Sequence, residues 1–491
     1  MNTVWGRRRK CKRLDLLREE SGSALLLALL TISIFSLLGL FIMYEAMTGL
    51  RISDNYESRV RAEAASIAGL NHAQALMRGL LNDPLLAGPD GNFDTDASYL
   101  NFTRQYEFRN PFSIGLARNL KIRDPAADLS GVPDDGLINS GSYSGSAGIP
   151  LIPLTGIAQK YSDPDGTGEI VVSRYFVKVT DNNDDASEKT KDPAGSPFVD
   201  GDGEVIVRSM GVSGTLSEYN GSTIRKNSVA VFEARYRKFF LFDFGPALLI
   251  AGAGLNPAFS GDYEIDGGSS PGIGFIDSDQ PDIATILATA PFGSGSIVGA
   301  GLPDPSIADL TIQALADPER SRILQPDYLL DFVLNKARRF ADNYFEGNQS
   351  WNSENEPDLG YYSPMKSFNA PDQNPKVTVV QGDLVMSGNA AGGGLLIVTG
   401  TFQCLDACSY NGLILVIGSG GTVIDTGGPG ITGGVVVVNL QDNNGIPVLG
   451  SPSISVRGNS RIRADAAVVK MAQNLIPPVR TSFREIAGTD P

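Results

Sequence analysis

One histidine in 491 residues, His72, leaves little scope for chemistry built on imidazole. No Ser-His-Asp or Cys-His site can be assembled beyond the first 80 residues. Zinc-hydrolase motifs, a Walker loop and a nucleotide fingerprint are all absent, and the many Gly-x-Gly pairs fall where β-turns are expected. Basic charge is also in deficit: 40 Lys and Arg stand against 55 Asp and Glu, a formal net charge of −15. Phosphate binding needs a basic surface, so nucleic acid is excluded as a partner. Cysteine occurs three times. Cys11 lies near the N-terminus, and Cys404 and Cys408 form Cys-Leu-Asp-Ala-Cys. Two thiolates without a nearby histidine make a poor zinc site, and the spacing is not that of a redox Cys-x-x-Cys. Outside the cytoplasm such a pair is read as a local disulfide. The expected class is a non-enzymatic protein.

What the chain has in abundance is a long apolar run. From Ala24 to Met43 there are 20 residues without a charge. At ~1.5 Å rise per residue this run is about 30 Å long, the thickness of a bilayer's hydrocarbon core. Arg7, Arg8, Arg9, Lys10, Lys12, Arg13 and Arg18 crowd the residues before it. Basic flanks stay cytoplasmic, which predicts a single-pass inner-membrane protein with everything after Met43 outside. A secretory signal would place its small-residue cleavage site after the apolar run. Here the cutting point, Glu20-Ser21-Gly22-Ser23, precedes it.

That order resembles the class III signal of type IV pilins and type II secretion pseudopilins. The resemblance implies cleavage by prepilin peptidase between Gly22 and Ser23, leaving Ser23 as the mature N-terminus. Removing a leader of seven basic and three acidic residues would take the charge from −15 to −19. The stretch from Tyr44 to Leu81, with its charged Asn-containing junction and the Ala-rich Ala68-Gly-Leu-Asn-His-Ala73, is similar to that of PilX-type minor pilins. It departs from the major pilins at mature position 1, where Ser23 stands in place of an aromatic residue, and at mature position 5, where Leu27 replaces the usual Glu. In the family that carboxylate is thought to pair with a neighbour's N-terminal amine, which Leu27 cannot do. The pseudopilin lacking it is the GspK type, assigned to the filament tip. The resemblance therefore implies a minor subunit at the tip or in initiation, with prepilin peptidase and other minor and major pilins as partners. A GspK-like type II secretion subunit is the alternative within the class. A membrane-anchored adhesion or glycan-binding module without a filament is the alternative outside it.

The predicted fold is α+β. It comprises a long pilin-like N-terminal helix, half of it transmembrane, an antiparallel sheet, and a Gly-rich β-solenoid-like C-terminal region carrying a helical insertion. After the leader (1–22) comes the membrane and stem helix (23–81), with small apolar residues Ala62, Ala65, Ala68, Gly69 and Ala73 on one face. A loop-rich connector follows (82–168). Residues 169–245 alternate as an antiparallel sheet should. Within them Asp181, Asn183, Asp184, Asp185, Asp200 and Asp202 offer oxygens on Gly-containing turns, which suits either a hard cation such as calcium or a solvated acidic hairpin. β rungs are expected at 246–303 and 347–470. All-apolar strands begin at Gly394, Gly412 and Gly434, and the similar run at 247–254 should join them in space. Between the rungs lies a helical insertion (304–346) with Pro326 at a helix start and a stripe running from Tyr328 to Tyr344. The tail (471–491) is read as loosely held. Some β-solenoids cleave polysaccharides with calcium and carboxylates, which singles out Asp266, Asp383 and Asp425, but no constrained pair marks such a site.

Overall fold

A computed structural model describes residues 12–79, 82, 86, 155–162, 169–182, 200, 203–214, 227–238, 245–254, 256–277, 295–300, 305–316, 323–363, 365–366, 372–418, 421–428 and 430–486. The chain opens with a 66-residue helix, α1 (Lys12–Met77). Its last residue, Met77, is four short of the expected Leu81, and Gly79 two residues on has a φ of +82°, the left-handed turn that commonly stops a helix.

Four strands follow: β1 (Thr155–Ser162), β2 (Glu169–Asp181), β3 (Glu204–Ser213) and β4 (Ser228–Arg237). They pair antiparallel in sequence order. Strand β1 lies in the stretch read as a loop-rich connector. Its Thr-Gly-Ile-Ala-Gln-Lys-Tyr-Ser has no period-2 apolar pattern, so its position beside β2 comes from pairing rather than from local sequence. One face of this sheet receives α1, and Tyr175, Val177, Val179, Val205, Val207, Phe232 and Tyr236 pack with Ala62, Ala65, Leu70, Ala73 and Met77.

The chain then builds a parallel body. Its first part holds β5 (Leu248–Gly252), β6 (Asn256–Ser260), β7 (Glu264–Asp266), β8 (Ile273–Asp277), β9 (Ser296–Val298) and β10 (Ile307–Asp309). Helices α2 (Thr311–Ala316) and α3 (Pro326–Asp331), a π-helical turn (Phe332–Lys336) and α4 (Ala337–Phe340) come next. The second part holds β11 (Asn343–Glu346), β12 (Gln349–Trp351), β13 (Gly360–Tyr361), β14 (Asn374–Gln381), β15 (Leu384–Met386), β16 (Ala391–Val398), β17 (Phe402–Asp406), β18 (Ser409–Gly418), β19 (Thr422–Thr426), β20 (Gly430–Asn443), β21 (Ile446–Leu449), β22 (Ser453–Arg457) and β23 (Arg461–Ala464).

One sheet runs β10-β8-β5-β20-β18-β16-β14-β11 and a second runs β12-β15-β17-β19-β22-β6. Every neighbouring pair on these two paths is parallel. The strands starting at Gly394 and Gly412 pair residue for residue, Leu395 opposite Leu413. The next pairing places Leu413 opposite Gly434, an offset of 21 residues. The 247–254 run joins them through Leu248 opposite Val435. The chain thus enters the stack in its middle, winds to the β10 end, crosses to the β11 end through α2 to α4, and winds back to meet its own first strand.

Inward residues such as Ile250, Leu396, Ile414 and Val435 fill the interior with Phe402, Cys404 and Tyr410. Outward residues of the same strands, Leu249, Leu395, Leu413 and Val436, are buried instead under Leu329, Phe332, Val333 and Ala337 of the helical crossover. Burial on both faces is why these strands read as unbroken apolar runs. Tyr344, the last residue of the expected stripe, lies on β11 rather than on a helix.

The C-terminal stretch differs most from expectation. Helix α5 (Ala466–Asn474) is capped by Asp465, whose Oδ1 accepts from the N–H groups of Ala467 and Val468 at 3.0 and 3.2 Å. Beyond it β24 (Val479–Ile486) pairs antiparallel with β4 and completes the first sheet in the order β1-β2-β3-β4-β24. The tail read as loosely held is an edge strand; its two arginines and exposed side chains hide it from a pattern search. The parallel body is therefore an insertion between two neighbouring strands of the antiparallel sheet.

Candidate assembly surface

Helix α1 has two parts with opposite surroundings. From Ser23 to Tyr44 every residue is exposed, among them Ala24, Leu27 and Met43. Among the described residues this is one helix long and apolar enough to cross a membrane. Its hydroxyls are compatible with hydrocarbon because they bond within the helix: Thr31 Oγ1 donates to the Leu27 carbonyl at 2.9 Å and Ser33 Oγ to Leu29 at 2.8 Å. Gly22 and Ser23 lie inside the helix, with no break between them.

Beyond Glu57 the helix docks on its own sheet. Ser58, Ala62, Ala65, Ser66, Gly69, Leu70, Ala73 and Met77 form one buried stripe at helical spacing. The approach is close because the contacting residues are small. Ser58 Oγ donates to the Ser213 carbonyl at 3.0 Å, and Ser66 Oγ donates to Ser209 and accepts from the Phe232 N–H at 3.2 Å. Tyr236 donates to the Leu70 carbonyl at 3.2 Å. Arg59 reaches the Val229 carbonyl at 3.0 Å, holds Glu63 at 2.7 Å and pairs with Glu485 on β24.

Among the described residues the opposite side of the stem has no such cover. At about 3.6 residues per turn, Val60, Ala64, Ile67 and Asn71 lie half a turn from the buried stripe. All are exposed; Tyr56, Val60 and Ile67 are 72%, 43% and 37% accessible. This stripe becomes visible as a surface only once the docked face is known.

His72 sits at the margin of the docked face. Its Nδ1 meets the Tyr175 hydroxyl, and the two rings pack edge to face with centroids 5.8 Å apart. Burial lowers the His72 pKa and raises that of Tyr175.

Of the residues singled out for a cation, Asn183, Asp184, Asp185 and Asp202 lie outside the described residues. Asp181 is wholly buried at the end of β2. Asp200 is committed to a turn: its Oδ1 accepts from the Gly203 N–H at 2.8 Å and its Oδ2 from Asn82 Nδ2 at 2.7 Å. Among the described residues no three His, Cys, Asp or Glu side chains come together in a way that could hold a metal. Asp383, Asp425 and Asp266 are dispersed over the turn after β14, β19 of the second sheet and β7. Asp383 Oδ1 accepts from the Thr401 N–H at 2.7 Å, and Asp266 Oδ1 from Gly268 at 2.8 Å. Cys404 and Cys408 are disulfide-bonded across the turn at Asp406, with Cα atoms 5.6 Å apart and both side chains in the core.

No protein-family model and no curated protein matches the sequence. Among solved structures, the crystal structure of the competence-associated pilin ComZ from Thermus thermophilus aligns over 87% of this chain and 97% of its own, with 11% identity and a TM-score of 0.19. A TM-score that low carries no argument about fold or function.

Proposed function

We propose that the chain is a pilin-like minor structural subunit of a type IV pilus assembly system, anchored in the inner membrane and acting at the tip or in initiation. The observation that carries this reading is the two-sided stem of α1: beyond Glu57 one side is sealed by the protein's own sheet, while the other, with Val60, Ala64 and Ile67, is exposed among the described residues. A simple anchor has no use for the second face. Traced back at the same periodicity, the exposed side passes Ser53, Gly49, Ala46, Gly39, Thr31, Ala28 and Ala24, interrupted by Phe35 and Ile42. Gly39 and Gly49 face open space. Small residues let another helix approach closely. The basic N-terminal flank supports an N-in orientation, and the site at Gly22 and Ser23 supports processing by prepilin peptidase. Leu27 in place of an acidic residue favours the tip, which a GspK-like subunit of a secretion system shares.

On this reading the parallel body is a β-solenoid held outside the membrane as an accessory head, with no catalytic role. Cysteines introduced at Val60 and Ile67 test the proposal in cells expressing the filament system. Cross-links from these positions to other pilin helices support it. Cross-linking no greater than from a control position on the solenoid, such as Ser453, would favour an anchored module without a filament.

A further inference from the structure

We propose that the end of α1 is a rigid clamp fixing the orientation of the parallel body relative to the stem, with Arg78 and Asn474 as its positioning residues. An inserted body hanging on two connections would ordinarily swing on them. Here four chain segments converge where α1 stops: the helix end itself, the exit from β4, the end of α5 and the start of the β11–β14 coil.

Arg78 spans three of them. Its Nε donates to the Leu475 carbonyl at 3.1 Å and its Nη2 to Asp342 Oδ2 at 2.7 Å. Asp342 is itself fixed, because the same oxygen accepts from the Val377 N–H of β14 at 2.8 Å. A planar guanidinium with two divergent partners defines an angle as well as a distance, which a lysine cannot do. One residue on, the left-handed Gly79 turns its N–H onto the Asn474 carbonyl at 2.7 Å.

Asn474 collects the other connection. Its Oδ1 accepts from the buried Lys238 Nζ, just past β4, at 3.1 Å, and its Nδ2 donates to the Lys470 carbonyl at 2.8 Å. Gln74, one turn back on α1, donates to the Pro478 carbonyl at 3.0 Å, so the return strand is held as well. Helix α5 is in turn seated on the parallel body through Val468, Met471 and Ala472. Stem, antiparallel sheet and parallel body therefore share one set of bonds, and torque applied to the stem reaches the body without a joint that gives.

The test is a pulsed electron-spin distance measurement on the full chain in lipid nanodiscs, with Cys11→Ser and spin labels at Asn71 on the stem and Ser453 on the body. Unfolding midpoints of all variants are measured in parallel. The expected result is one narrow distance peak in the parent, broadened in both Arg78→Ala and Arg78→Lys while the unfolding midpoint moves little. A broad or multiple distribution in the parent overturns the proposal whatever the variants do. So does a narrow peak that both Arg78 variants and Asn474→Ala leave unchanged.

Discussion

Gly211 of β3 lies directly beneath Ala62 of α1: a Cβ built on Gly211 would stand 1.9 Å from the Ala62 carbonyl oxygen and 2.6 Å from the Ser66 nitrogen. Helix backbone rests on strand backbone at this point, and no side chain can be inserted without moving one of them. Gly211→Val is expected to lower stability by about 1–3 kcal/mol or more, the range for overpacking. Urea denaturation of the detergent-solubilised chain measures it. A loss near zero would show that the helix lifts away at little cost, and that the docked face is weaker than its geometry indicates.

A buried charge network lies in the same sheet. Arg208 and Glu233 are both about 98% buried, with Nε and Oε2 2.7 Å apart, and Arg484 of β24 donates to the other Glu233 oxygen at 2.7 Å. Removing the carboxylate takes the Glu233 counter-charge from the buried Arg208 guanidinium. Glu233→Ala is expected to cost about 3–5 kcal/mol. Because Arg484 belongs to the returning strand, the same variant should raise hydrogen exchange across β24.

Stability should depend on pH through His72. Burial holds its pKa below the model-peptide value of about 6.5, so the unfolded chain binds the proton more readily than the folded one. The stabilisation is fully present above about pH 6.5 and is lost as pH falls through the lower folded value. Comparing the parent with His72→Asn between pH 7.5 and 5 isolates this contribution. The parent should lose more stability over that range, and equal slopes would remove His72 as its source.

The Cys404–Cys408 bond closes a very short loop, so its constraint on the unfolded chain is small. Replacing both residues by Ala is expected to cost about 2 kcal/mol from loop entropy. Loss of the buried sulfurs adds to this, since both lie in the interior of the parallel body. Thermal melts with and without reductant check the first contribution separately.

Much of this architecture is legible in the chain. The runs at Leu248, Leu395, Leu413 and Val435 are apolar at every position because each strand is covered on both faces, and their recurrence announces parallel stacking. The long helix follows from the uncharged run and the Ala-rich continuation. What stays hidden is order. The likeness of the 247–254 run to the later strands says that they stack together, but nothing local to Leu248 says that its neighbour is Val435, some 190 residues later, since parallel neighbours share no turn. The partnership of β24 with its antiparallel neighbour β4 is concealed because the whole parallel body intervenes between them, and its exposed Arg480, Ser482 and Arg484 imitate a solvated tail. The uncovered stripe at Tyr56, Val60 and Ile67 becomes recognisable as a surface only when the docked stripe opposite is known.

The measurement that bears most directly on the proposed function is the mass of the N-terminal peptide from membranes of cells with and without prepilin peptidase. The account predicts a chain beginning at Ser23 when the peptidase is present and at Met1 when it is absent. A chain that keeps residues 1–22 in both would contradict it and leave an anchored ectodomain whose exposed helix face has some other partner.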